Sequence, residues 1–94
     1  MHAEPVIDYV ITAHAAYELE RRGLSEENVR AVLLGPGQRL EVRPGRVLLQ
    51  SRLVDAATRT EYLVRVFVDI DRQPAEVVTA YRTSKIAKHW REQT

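Results

Sequence analysis

The sequence predicts an α+β fold: two N-terminal helices packed on a four-stranded antiparallel sheet, closed by a short C-terminal helix. Two observations predict it. Helical periodicity with explicit capping residues fills the front third of the chain, and strand-like alternation broken by short turns fills the rest. Consecutive hairpins make an antiparallel sheet, one face of which the early helices cover. A chain of 94 residues has room for a single domain, residues 1–94, with one modest core.

Thr12 is placed to cap a helix over Ala13 to Arg22, and Gly23 suits the left-handed position that ends it. Leu24 then falls where a Schellman cap packs it against Leu19. Ser25 caps a second helix, with Glu26 and Glu27 in the favourable first turn and Val29, Val32 and Leu33 on one face. The triplet "GPG" at 35–37 stops it. From Leu40 the period becomes two. "RLEVR" and "VLLQSRL" form a hairpin around "RPGR", with Pro44 and Gly45 at the central positions of a type II turn. After "DAATR" comes "TEYLVRVFVDI", with Tyr62, Val64, Val66, Val68 and Ile70 on one face and Arg65 and Asp69 on the other. As the longest and most apolar strand it belongs at the centre. "DRQPA" turns the chain into "EVVTAYR", where simple alternation sets Val77, Thr79 and Tyr81 opposite Val78, Ala80 and Arg82. Ser84 is a plausible cap for a last helix holding Ile86 and Trp90.

Composition narrows the function classes. With 45% hydrophobic and 29% charged residues the chain is neither disordered nor fibrous. It has no cysteine, so no disulfide framework or thiolate zinc site is available, which fits a reducing cytoplasm. The N-terminal stretch lacks the basic start and continuous apolar core of a signal peptide, and no segment is long enough to cross a bilayer. His2, His14 and His89 lack zinc spacing, no glycine-rich phosphate loop occurs, and neither a metal nor a cofactor is expected. Net charge is only +1, but it is unevenly spread. Glu18, Glu20, Glu26 and Glu27 lie early, whereas Arg82, Lys85, Lys88, His89 and Arg91 follow one another with no acid among them. Such a run is either a solvated helix face or the seat of an anionic partner.

The pieces "ITAHAAYELERRGLSEENVRAVL", "RPGRVLLQ", "YLVRVFVD" and "VVTAYRTSKIAKHW" resemble a family of small prokaryotic proteins known as domain of unknown function 4258. That family is distantly similar to toxins of the RelE and BrnT type, small metal-independent ribonucleases in which helices pack on a curved antiparallel sheet. The resemblance implies a RelE-like fold, cleavage of RNA, and an antitoxin partner.

Metal-free cleavage of RNA needs a base for the ribose 2′-hydroxyl, donors for the charge growing on phosphorus, and an acid for the leaving oxygen. His14 is the candidate base, because the positive end of a helix start favours a neutral ring; the alternative is a surface or core histidine. Arg46 and Arg65 are the candidate cations and Tyr81 the candidate acid or stacking ring. Each also has an ordinary reading, as a hairpin arginine, a solvated strand arginine and a half-buried strand tyrosine. The resemblance singles out Arg46 in "PGRVLLQ", with Gln50 four residues on and on the same strand face. Gln50, Thr79, Arg82, Ser84 and Lys85 are candidate RNA contacts, with Ser84 and Lys85 beside the last helix start. Lys88 and His89 read as a solvated face and Trp90 as a core plug. The expectation is therefore a toxin-like endoribonuclease, with His14, Arg46, Arg65 and Tyr81 meeting in one groove. A binding module that holds RNA or an acidic peptide without chemistry is the second reading. The third is an interaction protein that pairs with itself as a homodimer.

Overall fold

The computed structural model describes residues 3–92. The chain runs β1 (Tyr9–Ile11), α1 (Ala13–Arg21), α2 (Glu26–Leu34), β2 (Gln38–Arg43), β3 (Arg46–Asp55), β4 (Thr60–Asp69), β5 (Ala75–Thr83) and α3 (Ile86–His89). The strands form one five-stranded sheet in the order β1-β5-β4-β3-β2, so β4 is central as expected.

Local chemistry sets the helices. Thr12 Oγ1 accepts the Ala15 N–H at 3.0 Å and starts α1. At the other end the Leu24 N–H reaches Leu19 O at 3.0 Å and the Gly23 N–H reaches Glu20 O at 3.2 Å, the Schellman pattern, with Gly23 at φ +67°. Ser25 Oγ accepts the Asn28 N–H at 3.1 Å and starts α2. Ala15 and Leu19 of α1 and Val29, Val32 and Leu33 of α2 are buried against Val47, Leu49, Val64, Val66, Val68, Val77 and Ala80 of the sheet. Each fully buried Val or Leu contributes roughly 1.5–3 kcal/mol relative to exposure. The helices thus cover one face of the sheet.

The sheet corrects the sequence expectation in two places. It has five strands rather than four and is mixed, because β1 pairs in parallel with β5, Tyr9 opposite Ala75 and Ile11 opposite Val77. Three residues are too few for alternation to reveal a strand, and its partner lies at the far end of the chain. The second correction is a bulge in β5. Phe67 faces Thr79 while Val68 faces Val77, leaving Val78 as the extra residue. Val77 and Ala80 therefore both enter the core, and Thr79 no longer shares a face with Val77.

β1 covers β5 only over Ala75–Val77, so β5 beyond it is a free edge. Arg22, the residue after α1, closes part of that edge by donating from Nη1 to Ala80 O at 2.8 Å and to Thr79 Oγ1 at 3.0 Å. Gly45 sits at φ +88° in the β2–β3 turn, where an added Cβ would lie 2.8 Å from Asp71 Oδ2. Ser84 does not cap α3. The capping position is Lys85, which has no side-chain cap, and its N–H is held by Thr83 Oγ1 at 3.1 Å. A one-turn helix with that N–H engaged has no phosphate seat of the kind a longer helix start offers. No helix among the described residues is long and apolar enough to cross a membrane.

Candidate functional site

The face of the sheet away from α1 and α2 carries the alternate residues of the same strands. Leu48 and Leu63 are buried there, at 4% and 0% exposure, and the C-terminal segment from α3 to Arg91 crosses this face above β2 and β3. At that crossing a chain of side-chain hydrogen bonds runs along the sheet. Gln38 Oε1 accepts from the Arg91 N–H at 3.1 Å and from Gln50 Nε2 at 2.7 Å, and Gln50 Nε2 also donates to His89 O at 3.2 Å. Arg65 Nε donates to Gln50 Oε1 at 2.9 Å, and Arg65 Nη1 donates to the Tyr81 hydroxyl at 2.5 Å. The order follows from register: Gln38 faces Gln50, Gln50 faces Arg65, and Arg65 faces Tyr81 across four adjacent strands.

Aromatic rings fix the guanidinium. Its Cζ lies 5.7 Å from the Tyr81 ring centre and 6.0 Å from that of Phe67, and the two rings stack at 6.3 Å. His89 meets Tyr81 edge-on, with ring centres 6.4 Å apart and planes at 76°. Burial, together with the charges of Arg65, Lys88 and Lys85, pushes the His89 imidazole below its ordinary value, which favours the neutral ring. Among the described residues no carboxylate lies within ion-pair distance of Arg65. A half-buried cation with donors to spare and no carboxylate partner among the described residues presents an uncompensated positive charge on this face.

The sequence-derived candidates divide. Gln50, Arg65 and Tyr81 come together, and Lys85 stands exposed beside His89, close enough to depress its basicity. His14 does not join them, which corrects the expected groove. It lies on α1 with its side chain 75% exposed and Nε2 3.9 Å from Glu18 Oε1, and the core separates α1 from the Arg65 face. Arg46 is on the same face as Arg65 but committed elsewhere. Its Nε and Nη2 grip the Asp69 carboxylate at 2.6 and 3.1 Å, and it lies four residues from Gln50, about 13 Å along the strand. Hydrogen bonding to Arg46 holds the Asp69 carboxyl below the usual range against its burial. Thr79 is occupied by Arg22. Arg82 points to the helix side, over Tyr62 at 5.3 Å, and lines a separate cleft with Ser84.

His89 and Gln38 are the members that sequence reasoning missed. The usable signal was the Ile86 and Trp90 pair. It says that the C-terminal segment packs on something, and the helices already occupy one face, so His89 must ride on the other. His2 lies outside the described residues. Among those described, no group of three His, Cys, Asp or Glu side chains is placed to hold a metal ion.

A five-stranded sheet with helices on one face and a single arginine without a carboxylate partner among the described residues, Arg65, on the other defines a small α+β protein with a polar sheet face. The model for the domain of unknown function DUF4258 matches residues 11–82, and the chain belongs to that family. The match contains Gln50, Arg65 and Tyr81 and stops before His89. No curated protein matches the chain, and no solved structure does.

Proposed function

We propose that this protein is a metal-independent endoribonuclease of the RelE type, acting on single-stranded RNA from the Arg65 face in the cytoplasm. The observation that carries the reading is the half-buried Arg65, without a carboxylate partner among the described residues, bonded to Tyr81 and flanked by His89. Arg65 is suited to a non-bridging phosphate oxygen through the N–H groups that Gln50 and Tyr81 leave free. His89, kept neutral, takes the proton of the 2′-hydroxyl as that oxygen attacks phosphorus. The bond from phosphorus to the 5′-oxygen then breaks. Because Arg65 donates to the Tyr81 oxygen, the phenol proton is available to the leaving oxygen, and the product end is a 2′,3′-cyclic phosphate. Return of the proton from His89 to Tyr81 through solvent closes the cycle. An antitoxin partner in this reading covers the Arg65 face with acidic groups.

The test is cleavage of bulk RNA by purified protein in excess EDTA, with growth arrest on expression. Arg65→Ala and Tyr81→Phe are expected to abolish both, and His14→Ala neither. Intact RNA after prolonged incubation with the wild type overturns the reading.

A second reading, RNA binding without cleavage, draws on one observation: among the described residues the His89 ring makes no hydrogen bond to Tyr81 or Arg65. It predicts affinity that falls steeply with salt while the RNA stays intact.

A further inference from the structure

Beyond the Arg65 cluster, a cleft of about 380 Å³ lies where the β3–β4 hairpin and the end of β5 extend past the helices, lined by Asp55, Thr58, Thr60, Tyr62, Arg82, Thr83 and Ser84. Five of the seven side chains carry a hydroxyl and one is a cation. Arg82 is exposed, has no carboxylate within ion-pair distance among the described residues, and lies over the Tyr62 ring at 5.3 Å. Tyr62 is itself held in place, because its hydroxyl accepts from Asn28 Nδ2 at 3.0 Å and its ring packs on the core. The guanidinium thus lies over an anchored ring and is open to solvent. Asp55 lines the same cleft but forms no ion pair with Arg82; its Oδ1 accepts the Ala57 and Thr58 N–H groups at 2.9 and 3.3 Å and serves the hairpin turn.

We infer that this cleft is a second nucleotide subsite, in which a base stacks on the outer face of Arg82 and the hydroxyls of Thr83 and Ser84 meet its sugar and phosphate. A guanidinium plane supported by an aromatic ring is a stacking platform for an unpaired base, and hydroxyl groups serve a ribose, which both donates and accepts. The inference rests on the RNA reading of the Arg65 face, and the backbone connects the two sites. Thr83 lines the cleft and stands two residues from Tyr81 on the same strand face, about 7 Å away. Arg82 then carries the path round the free edge of β5 to the helix side. An RNA strand crossing that edge places one nucleotide at Arg65 and its neighbour at Arg82.

Fluorescently labelled pentauridylate with 2′-O-methyl groups, which block attack on phosphorus so that the strand stays intact, and uridine 3′-monophosphate, titrated in EDTA, separate this subsite from the first. Arg82→Ala removes an exposed side chain, so the fold is expected to persist, with unchanged circular dichroism and melting. It is expected to weaken pentauridylate about tenfold, the value of one stacked base, and to leave the mononucleotide at Arg65 unaffected. Arg82→Lys keeps the charge but loses the plane and is expected to weaken pentauridylate as the alanine variant does. Pentauridylate binding that needs Arg65 but is unchanged in Arg82→Ala, or fully restored by Arg82→Lys, overturns the subsite and spares the reading of the Arg65 face. Absence of wild-type binding to either probe overturns both.

Discussion

Two arginines on one sheet face, Arg46 and Arg65, look alike in the sequence and differ in what surrounds them. Arg46 is neutralised by a bidentate carboxylate; Arg65 is bonded only to neutral groups among the described residues. Arg46→Ala therefore removes both hydrogen bonds from the 6% exposed Asp69 carboxylate, leaving it Arg72 at 3.8 Å, and is expected to cost about 2 kcal/mol in urea unfolding, with RNA binding by the folded fraction retained. Arg65→Ala is expected to do the reverse, abolishing RNA binding at small cost in stability. The pair also titrates: Asp69, held low in the native state, supplies stability that is present above its ordinary value of 3.8 and lost as pH falls through the depressed one. His89 has the same sign for a different reason. Its folded value lies below 6.5, so below that pH the unfolded chain binds the proton first, and stability present above 6.5 falls as the pH drops through the lowered native value. His89→Gln is expected to flatten that part of the pH–stability curve, and in the wild type the acid limb of RNA cleavage is expected below pH 6.5. Sequence alone could not rank these residues, because the distinction between a paired and an unpaired arginine is a matter of cross-strand register.

At the scale of elements, the helices were legible and the sheet only partly so. Thr12, Gly23 and Ser25 act within four residues of themselves, and each makes the local bond its type and position implied. Gly23→Ala meets no neighbouring atom but must hold φ +67°, so a loss of about 1 kcal/mol in thermal or urea unfolding is expected from backbone strain alone. Ser25→Ala is expected to cost a similar amount, about 1 kcal/mol, through the Asn28 N–H it leaves without its cap. The strand β5 shows the opposite case. Alternation alone paired Val77 with Thr79 and Tyr81, and the bulge at Val78 broke that pairing. Nothing in "EVVTAYR" announces a bulge, since the cause is the register against β4. Deleting Val78 makes Thr79 opposite Phe67 and Val77 opposite Val68 consecutive pairs of a regular ladder, so Val77 and Ala80 are expected to stay in the core and unfolding by urea to remain cooperative.

In the whole molecule, the sheet separates two environments, an apolar core under α1 and α2 and a polar face closed by the C-terminal segment. That segment is tied down through Gln38 and Gln50, and Trp90 lies against Gly37, where an added Cβ would come within 2.9 Å of the indole. Gly37→Val is expected to displace the segment, unseat His89 and reduce RNA cleavage while the helix-side core stays intact, a separation that hydrogen exchange of β3 and α3 would read. If the protein binds RNA as proposed, through a few cations, the affinity for single-stranded RNA is expected to fall with a log–log salt slope of about −2, as for three phosphate contacts.

By itself the sequence determined the α+β class, both N-terminal helices with their caps, the β2–β3 turn at Gly45 and the central place of β4. These depend on periodicity and on bonds between near neighbours in the chain. Only the tertiary structure decided that β1 joins the sheet, that His14 and Arg65 lie on opposite sides of a core, and that His89 rather than His14 stands beside Tyr81. Those outcomes turn on which strand lies next to which and in what register, a property of residues distant in the chain that no local pattern encodes.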